Sequence, residues 1–349
     1  MEKNEEFDLF SALSAAILPW FAENKRDLPW RRDRQPYHVW LSEIMLQQTR
    51  VEAVKGYYAR FLEKLPTISA LAEAEEDVLL KLWEGLGYYS RVRNLKKAAQ
   101  QIMLCHDGIF PREYAHVLAL PGIGAYTAGA VCSIAFGQKT PAVDGNVMRL
   151  CSRILADRTP IDQPAFQKKI RQALEAVYPE NAGDFTQALM ELGATVCGPN
   201  RVPDCDHCPC KEFCQGRKLG IAQELPVKSG KKGRKIEKKT VFLLKCQEQY
   251  ALVKRPEKGL LAGMWQFPEL PGTLEAAEAV QALGLPVTQV CRQLDKRHVF
   301  THIEWEMRGF FLEIREKNED FQWFSDHEVA QFAALPTAYR QFWDAREDF

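Results

Sequence analysis

The stretch LPGIGAYTAGAV, Leu120 to Val131, sets glycines at 122, 124 and 129 around a single tyrosine, Tyr126. Its spaced small residues describe a backbone that approaches something closely. A helix is predicted from about Arg112 to Ala119, preceded by Pro111 and ended by Pro121–Gly122, and a second helix starts near Ala125. A short hairpin joins the two. Gly122 and Gly124 carry no Cβ and can take positive φ. Their N–H groups can then point outward beside a helix N-terminus, where partial positive charge gathers. Such a turn suits one phosphate without reading bases, and its carbonyls could hold a monovalent cation. An ordinary αα-hairpin, whose glycines only permit tight packing, has the same spacing.

Asp144 follows in TPAVDGNVMRLCSRIL, at the start of another helix. A lone Asp there usually only caps the helix. The helix dipole also favours its ionised form. An ionised carboxylate beside a phosphate-gripping turn suits the stabilisation of positive charge on a sugar carbon.

Outward from these motifs, residues 7–225 read as helical, with apolar residues at helical spacing in VLLKLWEGL, FQKKIRQALEAV and FTQALMELGATV. Residues 240–349 change character. KKTVFLLKCQ, YALVKR, MWQFPEL and HIEWEMRGFFLEI read as strands, with GTLEAAEAVQALGL as the one helix among them. The expected organisation is a helical domain over 1–227, a basic linker over 228–239 and an α+β domain over 240–349. The 349-residue chain is long enough for two domains. Lys and Arg number 27 against 28 Asp and Glu in residues 1–227, 7 against 1 in the linker and 12 against 17 beyond it. A basic strip of this kind can lie along a polyanion, or it can be a solvated linker. Hydrophobic residues make up 46% and charged residues 26%, as in soluble globular proteins. No apolar run approaches the roughly 20 residues that span a bilayer, and MEKNEEFDLF lacks a signal-peptide core. The expected location is the cytoplasm, an organelle staying compatible.

Hairpin, Gly/Pro-rich loop and Asp144 together resemble the helix–hairpin–helix DNA glycosylase superfamily. Within it, endonuclease III-like enzymes carry a Lys nucleophile where this chain has Tyr126. A Lys amine forms a Schiff base with the sugar and cuts the strand, whereas a phenol does not. The resemblance implies base removal with at most weak lyase activity. PWRRDRQPYHVWLSEIMLQQTRV, Pro29 to Val51, resembles the signature of the adenine DNA glycosylase (MutY) family. By spacing alone Glu43 is a surface residue of an amphipathic helix, with Val39, Trp40 and Leu46 three or four positions away. The resemblance makes it the catalytic acid instead, its pKa raised by apolar neighbours. It implies that Glu43 protonates adenine, that Asp144 stabilises the oxocarbenium-like sugar and that Tyr126 and Asn146 hydrogen-bond Asp144. It places Trp30, Arg31, Leu46 and Gln187 around the flipped adenine, and Gln48, Thr49, Leu86 and Tyr88 against the duplex opposite it.

CGPNRVPDCDHCPCKEFC places Cys197, Cys205, Cys208 and Cys214 in one short span. The superfamily holds a 4Fe–4S cluster at similar spacing, so a cluster is expected, with one extra residue in the first gap and a spare Cys210. A tetrahedral zinc is the alternative. Arg201 and Lys211 would offer charge to nearby phosphates. The last 110 residues resemble the Nudix-related domain of adenine glycosylases, best in GLLAGMWQFPEL. They lack a Glu-rich metal-binding helix, which implies recognition without hydrolysis. Phe300, Thr301 and His302 match a Phe–Ser–His loop that reads oxidised guanine, with Thr in place of Ser. The expected fold class is thus a mainly α helix–hairpin–helix glycosylase domain with an iron–sulfur cluster subdomain, plus an α+β Nudix-like C-terminal domain. The expected partner is double-stranded DNA with adenine opposite 8-oxoguanine, bound by a nucleoid-associated monomer without membrane contact.

Overall fold

The computed structural model describes residues 3–199, 202–230, 233–346 and 349, with side chains from Leu9 onward. Arg201 lies outside the described residues. The chain divides into two compact units, Met1–Glu73 with Asn94–Gly230, and Ala74–Arg93 with Lys231–Phe349. The stretch 74–93 thus joins the second unit, although its helical pattern reads like that of its neighbours. Strand pairing begins at Lys235, inside the segment read as a linker.

The helices run α1 (Lys3–Asn24), α2 (Pro36–Leu46), α3 (Val51–Lys64), α4 (Ile68–Glu73), α5 (Glu76–Leu82), α6 (Ser90–Cys105), α7 (Tyr114–Leu118), α8 (Ala125–Phe136), α9 (Gly145–Leu155), α10 (Pro164–Glu175), α11 (Ala182–Thr195) and α12 (Gln215–Lys218). Of these, α5 and the first turn of α6 lie in the second unit. A short 3₁₀ turn, Pro29–Arg31, precedes α2. Pro36 pre-sets the first turn of α2, where its missing N–H costs nothing. The helix α8 is apolar all round, and Thr127 through Ile134 are buried, as expected of a helix at the centre of a bundle. It packs on α2, α7 and α11. Its Gly129 faces the 141–142 backbone so closely that a Cβ would strike the Pro141 carbonyl. The quoted stretch therefore approaches its own chain at that point. Asp144 caps α9 by accepting from Val147 N at 2.8 Å. Buried Leu150 and Ile154 of α9 meet Leu13 and Ile17 of α1, Ile170 of α10 and Leu189 of α11. Each such side chain contributes about 1.5–3 kcal/mol relative to exposure.

The hairpin forms as expected, with α7 a little shorter than its sequence pattern. Gly122 takes φ +76°, and a Cβ there would sit 2.6 Å from Asn94 Cβ. Gly124 differs from expectation: it is the extended N-cap of α8, with φ −99°.

In the second unit the strands are β1 (Lys235–Cys246), β2 (Gln249–Lys254), β3 (Trp265–Gln266), β4 (Glu269–Pro271), β5 (Val287–Val299), β6 (Ile303–Ile314) and β7 (Gln322–Ser325). The order is β3-β2-β1-β6-β5, with β4 paired to β1 and β7 to β2. Among the described residues only β1 and β6 run parallel, from Lys235↔Ile303 to Lys245↔Glu313. The helix α13 (Ala276–Leu283) covers one face, and α14 (Asp326–Phe332) and α15 (Thr337–Trp343) the other. The sequence reading had one helix here. It missed α14 and α15, and it missed β5, whose exposed polar face hides its alternation.

Candidate active site

The ends of α2, α8, α9 and α11 wall a cavity of about 1090 Å³ in the first unit. Glu43 reaches it from α2 and is 6% exposed. Burial pushes its carboxyl from the ordinary 4.5 up to about 7; the Tyr126 bond and Arg31 pull against that rise, and Asp144 adds to it. The Tyr126 hydroxyl, from the first turn of α8, donates to Glu43 Oε2 at 2.5 Å and lies 3.7 Å from Met190 Sδ. Burial, with the charges of Glu43 and Asp144, holds the phenol well above its usual 10, so it stays a donor. The sequence reading had Tyr126 bonded to Asp144. The structure corrects this, because the first turn of α8 aims the phenol across the cavity at α2.

Asp144 keeps its capping bond and also accepts from Asn146 Nδ2 at 2.6 Å. Burial raises its pKa; the bonds from Val147 and Asn146 and the Arg149 charge oppose the rise without cancelling it. The helix dipole by itself favours the ionised form, and burial works against it. Arg149 orients Asn146: its Nη2 donates to Asn146 Oδ1 at 2.9 Å and to Gly193 O at 2.6 Å. The amide nitrogen of Asn146 is thereby turned to Asp144.

Trp30, Arg31, Leu46, Gln48, Thr49 and Gln187 line the same cavity. Trp30 is pinned edge-on to Tyr58 at 5.6 Å. Gln48 holds a left-handed conformation, φ 58°, just past the end of α2; such strain in a non-glycine residue is uncommon and concentrates at functional sites. The sequence reading missed Glu191. This α11 residue is 1% exposed and accepts from Arg26 at 2.6 and 2.8 Å and from Arg31 at 2.8 Å. Burial alone would raise its carboxyl, but the bonds and charges of the two arginines outweigh that and hold it at about 2. The signal in the sequence was a Glu on the apolar face of FTQALMELGATV, with Arg26 and Arg31 far upstream.

The remaining predicted residues lie elsewhere. Gly122 and Gly124 stand exposed on the hairpin. Leu86, Tyr88, Phe300, Thr301 and His302 belong to the second unit. There Leu86 is 6% exposed, packed rather than presented, while Tyr88 is 47% exposed and its hydroxyl meets Thr301 Oγ1 at 3.1 Å. Phe300 stacks edge-on between His298 and Trp305, at 4.6 and 4.8 Å. His302 is exposed.

The cofactor expectation is overturned. Among the described residues, no group of three or more His, Cys, Asp or Glu is arranged to hold a metal ion. Cys197, Cys205, Cys208 and Cys214 gather near Cys210 around a void of about 20 Å³, room for about one water and too little for four irons and four sulfides. Three of the four thiols already have partners. Cys197 Sγ accepts from Arg153 Nη1 at 3.2 Å, Cys214 Sγ donates to Arg153 O at 3.4 Å, and the free thiol of Cys208 is hydrogen-bonded to that of the buried Cys210. The spare Cys210 and the longer first gap are the departures that accompany this packing. The same finding removes the zinc alternative, and none of the described His, Cys, Asp or Glu groups offers a cation site at the hairpin either. Lys211 donates to Asp206 O at 3.2 Å within the loop.

Residues 41–179 match the model of the HhH-GPD superfamily of base excision DNA repair proteins, and residues 240–345 match that of the NUDIX domain. The adenine DNA glycosylase of Homo sapiens is 36% identical over 95% of this chain and 73% of its own length. That of Arabidopsis thaliana is 35% identical over 88% of this chain and 56% of its own length. That of Buchnera aphidicola subsp. Acyrthosiphon pisum (strain APS) is 31% identical over 88% and 89%. Among solved structures, a thermostable thymine-DNA glycosylase is similar at 27% identity and TM-score 0.55, over 63% of this chain and all of that one. An endonuclease III in a non-covalent DNA complex, at 22% identity and TM-score 0.52, shares the fold over 63% of this chain and 99% of its own. No helix among the described residues is long and apolar enough to cross a membrane. With its two domain matches in order and more than a third of its residues identical to the human enzyme, the chain belongs to the adenine DNA glycosylase family of the HhH-GPD superfamily.

Proposed function

We propose that this base-excision-repair glycosylase, a hydrolase of the N-glycosidic bond of adenine, acts on adenine paired with 8-oxoguanine in double-stranded DNA and does so without efficient strand cleavage. The observation that carries the reading is the Glu43 carboxyl, raised to about 7 and bonded to Tyr126, in one cavity with Asp144, whose carboxylate accepts instead from Val147 N and Asn146 Nδ2. Two carboxyl groups in different environments suit an acid and a charge stabiliser.

The target adenine leaves the stack, which costs a few kcal/mol and least at a mispair. Protonated Glu43 donates its proton to N7 of the base. The C1′–N9 bond breaks, and its electron pair departs with adenine. The sugar carries the positive charge, which the Asp144 carboxylate stabilises. Glu43, now a carboxylate, takes a proton from the water that adds to C1′ and returns to its starting form. Asn146 and the Val147 amide hold Asp144 in place. The Arg26–Glu191–Arg31 group fixes the wall beside Trp30. The hairpin at Gly122 would take a phosphate, and Tyr88 with residues 300–302 would read the base opposite.

Glu43→Gln tests the scheme. The variant is expected to bind the duplex as well as the parent and to lose adenine release by at least about a hundredfold, the usual scale of general acid catalysis. Full excision by the Gln variant would sink it. Borohydride is expected to trap no protein–DNA adduct. A trapped adduct lost in Lys228→Ala would instead mark that cavity-lining lysine as a nucleophile.

A further inference from the structure

Tyr88 and Thr301 are far apart in sequence, yet their hydroxyls meet at 3.1 Å. What holds the 74–93 segment to residues 231–349 within the second unit is a set of polar clasps, and Glu84 is at their centre. Glu84 Oε1 accepts from Leu335 N at 2.9 Å and from Arg340 Nη1 at 2.7 Å, and Glu84 Oε2 meets Lys81 Nζ at 2.8 Å. Lys81 Nζ also donates to the carbonyls of Val329 and Ala333, at 3.2 and 3.1 Å. Glu84, just past α5, therefore holds the loop before α15 and Arg340 of α15, while Lys81 of α5 holds the end of α14. Its side chain is 13% exposed, and that of Arg340 is 41% exposed.

The turn next to Glu84 is built to pass that position on. Tyr89 Oη accepts from Gly85 N at 3.2 Å, Trp83 Nε1 donates to Gly87 O at 3.1 Å, and Arg91 Nη2 donates to Leu86 O and Gly87 O at 3.0 Å each. Gly85, Gly87 and Tyr88 all hold positive φ, 96°, 72° and 48°. A non-glycine residue stays in that region only where its surroundings impose it. A turn so closed has little freedom to absorb a shift of α5, so a shift moves the Tyr88 phenol relative to Thr301.

We propose that Glu84 is a positioning residue for opposite-base discrimination, fixing Tyr88 against Thr301 through the clasp to Leu335, Arg340 and Lys81. The inference rests on the proposed reading of the opposite base by Tyr88 and residues 300–302. Single-turnover adenine release is measured on full-length protein with adenine opposite 8-oxoguanine and opposite guanine, and the ratio of the two rates is compared. Glu84→Ala is expected to lower the ratio at least about tenfold while the rate opposite guanine stays within about twofold. Glu84→Gln keeps an oxygen acceptor for Leu335 N and is expected to restore part of the ratio. Arg340→Met removes one clasp at a more exposed position and serves if Glu84→Ala does not fold. Thr301→Ala separates the two readings. A lowered ratio in Thr301→Ala with an unchanged ratio in Glu84→Ala, or an equal fall on both duplexes, overturns the role of Glu84. An unchanged ratio in Thr301→Ala overturns the opposite-base reading itself, and the positioning role with it.

Discussion

Replacing Tyr126 by Phe removes the O–H that donates to Glu43 Oε2 at 2.5 Å and leaves the ring in place. A hydrogen bond to a charged acceptor contributes about 1.5–3 kcal/mol and one to a neutral acceptor about 0.5–1.5. The bond therefore favours the carboxylate over the carboxylic acid by roughly 1.3 kcal/mol, about one pH unit. In the parent, Glu43 is held at about 7, chiefly by burial, with Tyr126 pulling downward. Removing the phenol lets burial act with less opposition, so the group rises toward roughly 8. In the proposed scheme Glu43 acts in its protonated form, so activity is present below this pKa and is lost as the pH rises through it. At pH 8 the protonated fraction goes from about one-eleventh to about one-half, a gain of about fivefold relative to each enzyme's own low-pH plateau. Single-turnover excision between pH 5.5 and 9, normalised to the plateau, reads this directly. An alkaline limb that stays put or moves down in Tyr126→Phe refutes the assignment of that limb to Glu43.

The same carboxyls make further predictions. Asn146→Ala withdraws the 2.6 Å donor from Asp144; the acid limb of the pH profile is expected to move up, and an unmoved limb would show that Asp144 does not set it. Glu43→Gln is expected to stabilise the protein at alkaline pH. A carboxyl raised from 4.5 to about 7 binds protons more tightly folded than unfolded, so its stability contribution falls as pH rises between those values and levels off above at a penalty of about 3 kcal/mol. Urea unfolding at pH 8 and pH 4.5 should show the gain at the first and none at the second. Glu191 has the opposite sign. Held at about 2, it contributes stability above its unfolded pKa of 4.5 that is lost as pH falls through about 2, and Glu191→Gln at pH 7 is expected to cost about 3–5 kcal/mol by stranding two arginines. A loss below about 1 kcal/mol would mean that water relieves them.

Local chemistry was legible in the sequence where it is encoded by short-range rules. The hairpin follows from Pro121, Gly122 and the helical periodicity on either side, and the capping role of Asp144 from its place before α9. The long β1 and β6 follow from their β-branched and aromatic runs. What was hidden depends on partners distant in the chain. Glu191 reads as a stray acid on an apolar helix until Arg26 and Arg31 arrive beside it. The destination of Tyr126 depends on how α8 packs against α2, which no spacing in LPGIGAYTAGAV contains. The 74–93 segment has the same pattern as the helices of the first unit, and contacts distant in the chain, those of Glu84, Lys81, Asp77 and Arg93 among them, decide where it packs. The strand β5 stayed hidden because one polar face makes it look like loop. The four-cysteine spacing pointed to a metal centre that the packing around Cys210 does not accommodate.

Release of free adenine from a duplex carrying one adenine opposite 8-oxoguanine, with an adenine–thymine duplex as control, tests the central claim most directly. The strand is analysed with and without hot alkali. The account predicts release from the first duplex alone, with breaks that appear mainly after alkali. Equal release from both duplexes, or tight binding without release, would contradict it.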